Sequence, residues 1–448
     1  MTESTMGVRR AGSVAPRLLL ALVFGGLSLR LFQLTGRYAV NIFFSDEWDF
    51  NDATLFQRHG WWEIFRWQHG PHRQGLGGLL AALVEPWFRW NSRSEAWMAA
   101  ALVVAAALLA LLLKQRLFGP LAWTDVLIPM AMLSPARWES VWIAANLSLV
   151  LFPVLMMLYC LLWVWNNERL KYGLIVLLNL GCIYTGFAFF LGLLTPVLLL
   201  ASWRRRSRGG RIYLGVCLAF SILSLASFFA GWRAQSASGC PSTFSPQFSE
   251  YFWCADLMYA SVFGLMETGF FARMAGAAVL ALVLAAAALY WRKILRETGT
   301  TAPRHVVLAA LSTHVILFTI ATALARTCLG LEVALSSRYI IYMQMSVLLL
   351  YFGALSLPRP RLASPACGLL MLLLLPALVL PQSDDAMISL SERKAAWRAC
   401  YLSGRRIADC DEECGAVYPA PAFTHLQDKL EYLRRTRQNL FADTPEAR

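Results

Sequence analysis

The stretch FFSDEWDFNDATLFQRHGWWEIFRWQHGPHR, residues 43–73, crowds carboxylates, three His, four Trp and three Arg into 31 positions just after the first apolar run. Asp46, Glu47, Asp49 and Asp52 fall within seven residues of one another. A carboxylate can serve as general base toward a hydroxyl. His69, His72 and Arg73 offer groups that hold an anionic leaving group, and guanidinium does so with a bidentate fork. Trp48, Trp61, Trp62 and Trp67 supply rings that stack on sugar faces or lie at a lipid interface. Together these groups suit transfer of a sugar from a membrane-bound sugar phosphate. The plainer alternative is a charged juxtamembrane collar, its acids solvated or paired.

The elements that must position these groups are apolar helices. The 448 residues are 58% hydrophobic and only 15% charged, and apolar runs near span length recur throughout, as in an all-α polytopic membrane protein. Spans are expected near 17–36, 95–113, 120–134, 146–165, 172–184, 187–203, 212–231, 271–291, 303–323, 338–357 and 364–381, eleven in all. The first follows Arg9, Arg10 and Arg17 and reads as a retained span, not a cleaved signal. The short pair 172–184 and 187–203 has one broken helix as its alternative. The basic clusters Lys114/Arg116, Arg169/Lys171, Arg204 to Arg211, Arg292/Lys293/Arg296/Arg304 and Arg359/Arg361 then share one side. The positive-inside rule makes that side cytoplasmic. The net charge of +13 is thereby read as topology and anionic-lipid contact, with no nucleic-acid partner. Residues 1–381 form the membrane domain, 37–94 its long first extracytoplasmic loop, and 382–448 an extracytoplasmic tail.

Cys160, Cys182, Cys217 and Cys367 fall inside spans, as small apolar fillers do. Cys240, Cys254, Cys328, Cys400, Cys410 and Cys414 fall on the oxidising side, with pairing open. In the tail Leu426, Leu430, Tyr432, Leu433 and Leu440 recur with helical spacing. A small helical cap, stapled by one disulfide, is expected there.

The first span followed at once by an acidic pair in a long outer loop resembles the GT-C superfamily, integral-membrane glycosyltransferases that use polyprenyl-phosphate sugars. QHGPHRQGL (68–76) is similar to the His-x-Glu-His-Arg element of bacterial members, with Pro71 in place of the Glu. SPARWESVWIAANLSL (134–149) looks like their Trp-Glu-Asn-Trp element, without its Asn. YTGFAFF (184–190) occupies the place of their turn between two short helices, and SSRYIIYMQM (336–345) resembles their Ser-Arg-Tyr element. The resemblance covers most of the membrane part and none of the tail. It implies a GT-C-like bundle in a bacterial inner membrane, with the N-terminus cytoplasmic and the C-terminus outside.

On that reading Asp46 or Glu47 is the base, the order between them open. His69, His72, Arg73, Glu139, Arg338 and Tyr339 contact donor phosphate or acceptor. Plainer roles are a helix cap for His72, snorkelling for Arg338, and mutual pairing for Arg326 and Glu332. His305 and His314 receive no role. Clustered carboxylates suit Mg²⁺ or Mn²⁺, although some superfamily members work without a metal. The donor is a polyprenyl-phosphate-linked sugar, the acceptor a glycan, lipid or exported protein. A flippase of lipid-linked precursors would instead show internal repeats and broken spans, and none is evident. A glycan polymerase or ligase, or a purely structural subunit, would not call for the acidic pair.

Overall fold

In a bilayer every backbone N–H and C=O must be paired within the protein, so apolar runs with charges only at their ends become helices. The computed structural model describes residues 14–203, 207–233, 247–296, 302–379, 384–418 and 425–443. The Arg204–Arg206 run, Cys240 and Gln382 lie outside the described residues. The chain runs through α1 (Val14–Tyr38), the loop helices α2 (Glu47–Phe50) and α3 (Trp61–Arg66), a hairpin of β1 (Gln68–His69) and β2 (His72–Arg73), and α4 (Gly75–Val84). Next come α5 (Ser92–Phe118), α6 (Leu127–Met132), α7 (Leu147–Val164), α8 (Glu168–Ile183), α9 (Phe189–Trp203) and α10 (Arg208–Phe229). The helices α11 (Ser249–Ser261), α12 (Phe270–Arg296), α13 (Pro303–Arg326), α14 (Ser337–Leu355) and α15 (Pro360–Leu378) follow. The tail holds α16 (Asp384–Leu402), α17 (Ile407–Cys414) and α18 (Leu426–Thr436).

Among the described residues nine helices are long and apolar enough to cross a membrane: α1, α5, α7, α9 with the turn before it, α10, α12, α13, α14 and α15. The chain is an all-α polytopic membrane protein. Helices α7, α13 and α14 are largely enclosed, while α1, α10, α12 and α15 turn most of their surface outward. The outward surface is apolar, with Leu18, Leu22, Phe220, Leu223, Leu282 and Leu372 exposed, as lipid-facing helices require.

Two expected spans differ. Residues 120–134 form only a 3₁₀ turn, Trp123–Val126, and the six-residue α6. Pro120, Pro129 and Pro135 prevent a longer helix there, because each removes an N–H donor. The segment still traverses the bundle. Asp125 accepts from Tyr351 near the end of α14 and pairs with Lys114 at 2.9 Å, whereas the Glu139 amide donates to Ser337 at the start of α14 (2.9 Å). Between these two contacts α14 rises about 21 Å. Residues 172–184 fall in the 16-residue α8, about 24 Å long. α8 and α9 are separate antiparallel helices, tied by Thr195 to Asn179 (2.8 Å), and not one broken helix.

At the turn between α8 and α9, the Thr185 hydroxyl accepts from the Leu76 amide (2.9 Å), and Ser148 on α7 donates to the Gln74 carbonyl (3.0 Å). Glycines make this approach close enough. Gly75 has φ +54° and its Cα faces the Tyr184 carbonyl, and a Cβ on Gly77 would fall within the Ser148 backbone. Replacing Gly77 by Ala is expected to destabilise the protein by about 1–3 kcal/mol through overpacking. Gly25→Ala, where a Cβ meets open space, should leave the melting temperature unchanged or raise it. Thermal unfolding of both variants in detergent checks the pair.

The tail is helical, and Cys400–Cys410 staples α16 to α17. Closing so short a loop stabilises by roughly 3 kcal/mol in the chain-entropy picture. Cys328 is also disulfide-bonded, whereas Cys254 is a buried free thiol and Cys414 a half-buried one. The tail does not stand apart as a separate cap. Its Trp397, Leu426, Leu430, Leu433, Leu440 and Phe441 share one core with Ile42, Phe43, Trp48, Leu55 and Trp90 of the first loop. Polar contacts extend the junction. Asn439 is fully buried, donates to the Trp90 carbonyl (2.7 Å), and accepts through its own carbonyl from Asn41 (2.7 Å).

Candidate active site

The four acids of residues 46–52 meet four different fates. Glu47 is 2% exposed and lies 3.7 Å from Lys394 of α16, which is itself buried; its Oε2 also accepts from the Phe44 amide (2.6 Å). Asp49 accepts from the Tyr418 hydroxyl (2.7 Å) and faces Lys429 of α18. Asp52 pairs with Lys429 at 2.8 Å. Among the described residues Asp46 alone has no cation of this kind. Its side chain is 48% exposed, with His69 Nε2 3.9 Å away.

His69 reaches Asp46 because QHGPHR folds as a tight hairpin. Gly70 takes φ +56° and Pro71 holds its negative φ, the combination of a type II′ turn. His69 pairs with His72 across the strands, which sets both rings on one face, 6.3 Å apart. Gln68 and the Trp232 indole, bonded to Arg233 and to the Pro71 carbonyl, fasten the hairpin to the end of α10. The His72 ring packs against Phe187 and both its nitrogens are buried without a hydrogen-bond partner. Burial first, then the charges of His69 and Arg326, push its pKa down to about 3, so it is a neutral imidazole. It does not cap α4, whose N-cap is Gln74.

Arg73 turns away from this face. Its guanidinium donates to the carbonyls of Phe228 (2.7 Å), Ala230 (2.9 Å) and Arg66, between the rings of Tyr184 and Phe228. With those donors engaged, it secures the hairpin to α10 and is not placed to meet a leaving group.

Across from Asp46 stands the start of α14. Arg338 lies within electrostatic reach of Asp46 and 3.7 Å from Glu139. Ser336 donates to Glu139 (3.0 Å) and accepts from Arg338 (3.1 Å). Glu139 opens a π-helical turn, Glu139–Ile143, a geometry frequent at functional positions. Tyr339 is buried behind Arg338, edge-on to Phe318. Arg326, at the end of α13, is not paired with Glu332; it is within electrostatic reach of His72 and Tyr339 and makes no hydrogen bond or ion pair among the described residues. The face therefore gathers one free carboxylate, two imidazoles and two guanidinium groups. That set can accept a proton at one edge and hold an anion at the other.

Behind it lies a buried acid cluster. Burial and the charge of Glu47 push Glu85 up to about 8, and burial pushes Glu47 up to about 7 against the pull of Lys394. Lys394 is itself held down by burial. Both partners shift toward neutrality because desolvation outweighs their attraction. A carboxyl with a raised folded pKa contributes stability in full below its unfolded value of about 4.5 and loses it as pH rises through the folded value. Stability is expected to fall between pH ~5 and ~8 by up to about 1.4 kcal/mol per pH unit for each proton released. Glu85→Gln should flatten that slope, as thermal unfolding against pH will show.

Arg326 stands at the site and not in the expected pair with Glu332, and two contributors carry no expectation from sequence: Lys394 and Lys429. The chain has only five lysines, and two of them sit in the tail opposite the loop acids. The scarcity was a usable signal. Among the described residues no three His, Cys, Asp or Glu side chains are grouped to hold a metal ion. Asp49 and Asp52 turn toward Lys429, so the acids nearest Asp46 do not complete an oxygen cage for Mg²⁺ or Mn²⁺. Set against protein-family models, curated proteins and solved structures, the chain matches none of them.

Proposed function

We propose that the protein is a GT-C-like glycosyltransferase that moves a sugar from a polyprenyl-phosphate donor to an acceptor hydroxyl. One observation carries the reading: of the acids in residues 46–52, only Asp46 keeps a half-exposed side chain, and it lies within electrostatic reach of Arg338. The proposed setting is a bacterial inner membrane, with the basic helix ends cytoplasmic and the Asp46 end outside. That orientation follows from the distribution of Arg and Lys.

In the proposed step the acceptor oxygen attacks the anomeric carbon while its proton passes to the Asp46 carboxylate. The bond from the anomeric carbon to the phosphate oxygen breaks, and polyprenyl phosphate leaves with the electron pair. Arg338 and Arg326 meet the negative charge that develops on it. Neutral His72 can donate one hydrogen bond without adding a charge. His69, beside Asp46, orients the carboxylate or relays its proton. Glu47, inside the protein and against Lys394, supports the loop, and Arg73 supports the hairpin.

The test is transfer by purified protein in lipid nanodiscs. Polyprenyl-phosphate donors carrying labelled pentose, hexose or aminosugar are offered with cell-envelope extracts as acceptor. Release of free polyprenyl phosphate together with label on an acceptor supports the reading. A wild-type protein that moves intact donor across proteoliposome membranes and never cleaves it is a transporter.

A further inference from the structure

We propose that Lys394 is a positioning residue for the Asp46 site: by neutralising Glu47 inside the protein, it holds α2 against the bundle and keeps Asp46, the residue before it, on the face it shares with His69 and Arg338. The inference rests on the function proposed above for Asp46, but its geometry does not.

Both neighbours of Asp46 are held from the C-terminal region. On one side Ser45 has φ +51°, a left-handed conformation that costs a non-glycine residue about 1–2 kcal/mol. Such strain persists where the surroundings over-determine it. Here the Ser45 amide donates to the Val417 carbonyl (2.8 Å), from the stretch just after α17. On the other side Glu47 is clamped. Lys394 donates to the Ile143 carbonyl and approaches Glu47 at 3.7 Å, while Glu47 Oε2 takes the Phe44 amide. The Asp46 carbonyl in turn accepts from the Phe50 and Asp49 amides (2.9 and 3.1 Å), so a shift of α2 moves Asp46 with it.

The charges facing Glu47 can be enumerated. Lys394 faces it from α16, Glu85 from the end of α4, and Glu95 from the first turn of α5; the 143–147 stretch offers no charged group. One ammonium thus serves Glu47 and Glu95, and Glu85 beside them has only the charge of Glu47. A small cavity lined by Glu47, Glu95, Asn51, Gln74 and Asn146 lies beside them, and Glu47 Oε1, Glu85 Oε1 and Asn146 Nδ2 are buried without partners. Loss of Lys394 leaves Glu47 with no counter-charge in a site that barely admits water. Glu47 must then take a proton or leave, and leaving swings Asp46.

Three full-length variants test this: Lys394→Met, Lys394→Arg and Glu47→Gln/Lys394→Met. At alkaline pH, where the unpaired Glu47 sheds its proton, Lys394→Met should lower kcat by about 10²-fold, the cost of a misplacement near 1 Å, with KM for the donor unchanged. Its loss of activity on the alkaline side should move to lower pH, because an unpaired Glu47 holds position only when protonated. Lys394→Arg should restore both rate and profile, and the double variant should fold and lack the alkaline limb. A merely structural lysine would not move that limb. A second readout needs no transfer. A spin label at position 46, in Asp46→Cys/Cys414→Ser protein, should be immobilised with Lys394 or Arg present, become mobile in Lys394→Met, and regain order at low pH. Wild-type rate and profile in Lys394→Met would overturn the proposal. So would a label at position 46 equally ordered in all backgrounds. If Lys394→Met does not fold, the double variant decides, and an alkaline limb retained there overturns it. A wild type that transfers nothing, with the spin-label pattern as expected, removes the glycosyltransferase reading and leaves the clamp.

Discussion

Asp46→Asn protein is expected to fold with the wild-type melting temperature and to transfer sugar about 10²–10⁴-fold more slowly, the range lost with a general base. Both halves of that statement come from the same geometry. Asp46 is half-exposed and its nearest basic group, His69, is 3.9 Å away, too far for a hydrogen bond, so removing its charge undoes no buried pair. Glu47→Gln should behave in the opposite way. Glu47 is enclosed, away from the exposed face of Asp46, and the substitution disturbs its contact with Lys394, so its effect belongs in stability and in the pH profile. Single-turnover transfer alongside thermal unfolding separates the two. Equal rates for Asp46→Asn and wild type would remove Asp46 as the base.

Arg338→Ala is expected to lower kcat by about 10²–10³-fold, the usual consequence of removing one preorganised donor to a developing anion. Arg326→Ala should cost less, since Arg326 is reached only through His72 and Tyr339. The loss should depend on the leaving group. A donor linked through pyrophosphate, whose departing anion needs less help, should suffer a smaller penalty in Arg338→Ala than one linked through phosphate. In Asp46→Asn the penalty should be the same for both. Glu139 holds Arg338 at 3.7 Å, with Ser336 between them. Glu139→Gln therefore should leave the charge at Arg338 but loosen its aim. Rate measurements with matched donors check the whole series, and an Arg338→Ala enzyme indifferent to the leaving group would show that Arg338 does not face it.

Hydropathy made the bundle legible, because a span must be apolar over its whole length wherever it packs. It misjudged residues 120–134. A window average sees Leu, Ile and Met there, but three prolines and the Asp125–Lys114 pair break the helix while tertiary contacts carry the chain across. The acidic loop was legible as a place. Which acid stays free was not, since that depends on Lys394 and Lys429, about 350 to 380 positions further on. Residue type and the likeness of QHGPHRQGL to the His-x-Glu-His-Arg element point to Arg73 as an anion ligand. Its carbonyl partners at Phe228 and Ala230 come from the end of another helix, and local pattern cannot report them. Tyr418, which bonds Asp49 from beyond α17, was missed for the same reason.

The buried Asn439, bonded to Asn41 from 398 positions away, sets a clock on biosynthesis. A ribosome adds about 5–20 residues per second, so roughly 20–80 s separate the appearance of the first loop from that of the residue that completes its core. For most of that interval the loop acids wait without Lys394 or Lys429. The bundle is inserted early and the junction of loop and tail is closed last, and a nascent chain halted before its final helix would sit in the membrane with its bundle threaded and its first loop without the other half of its core.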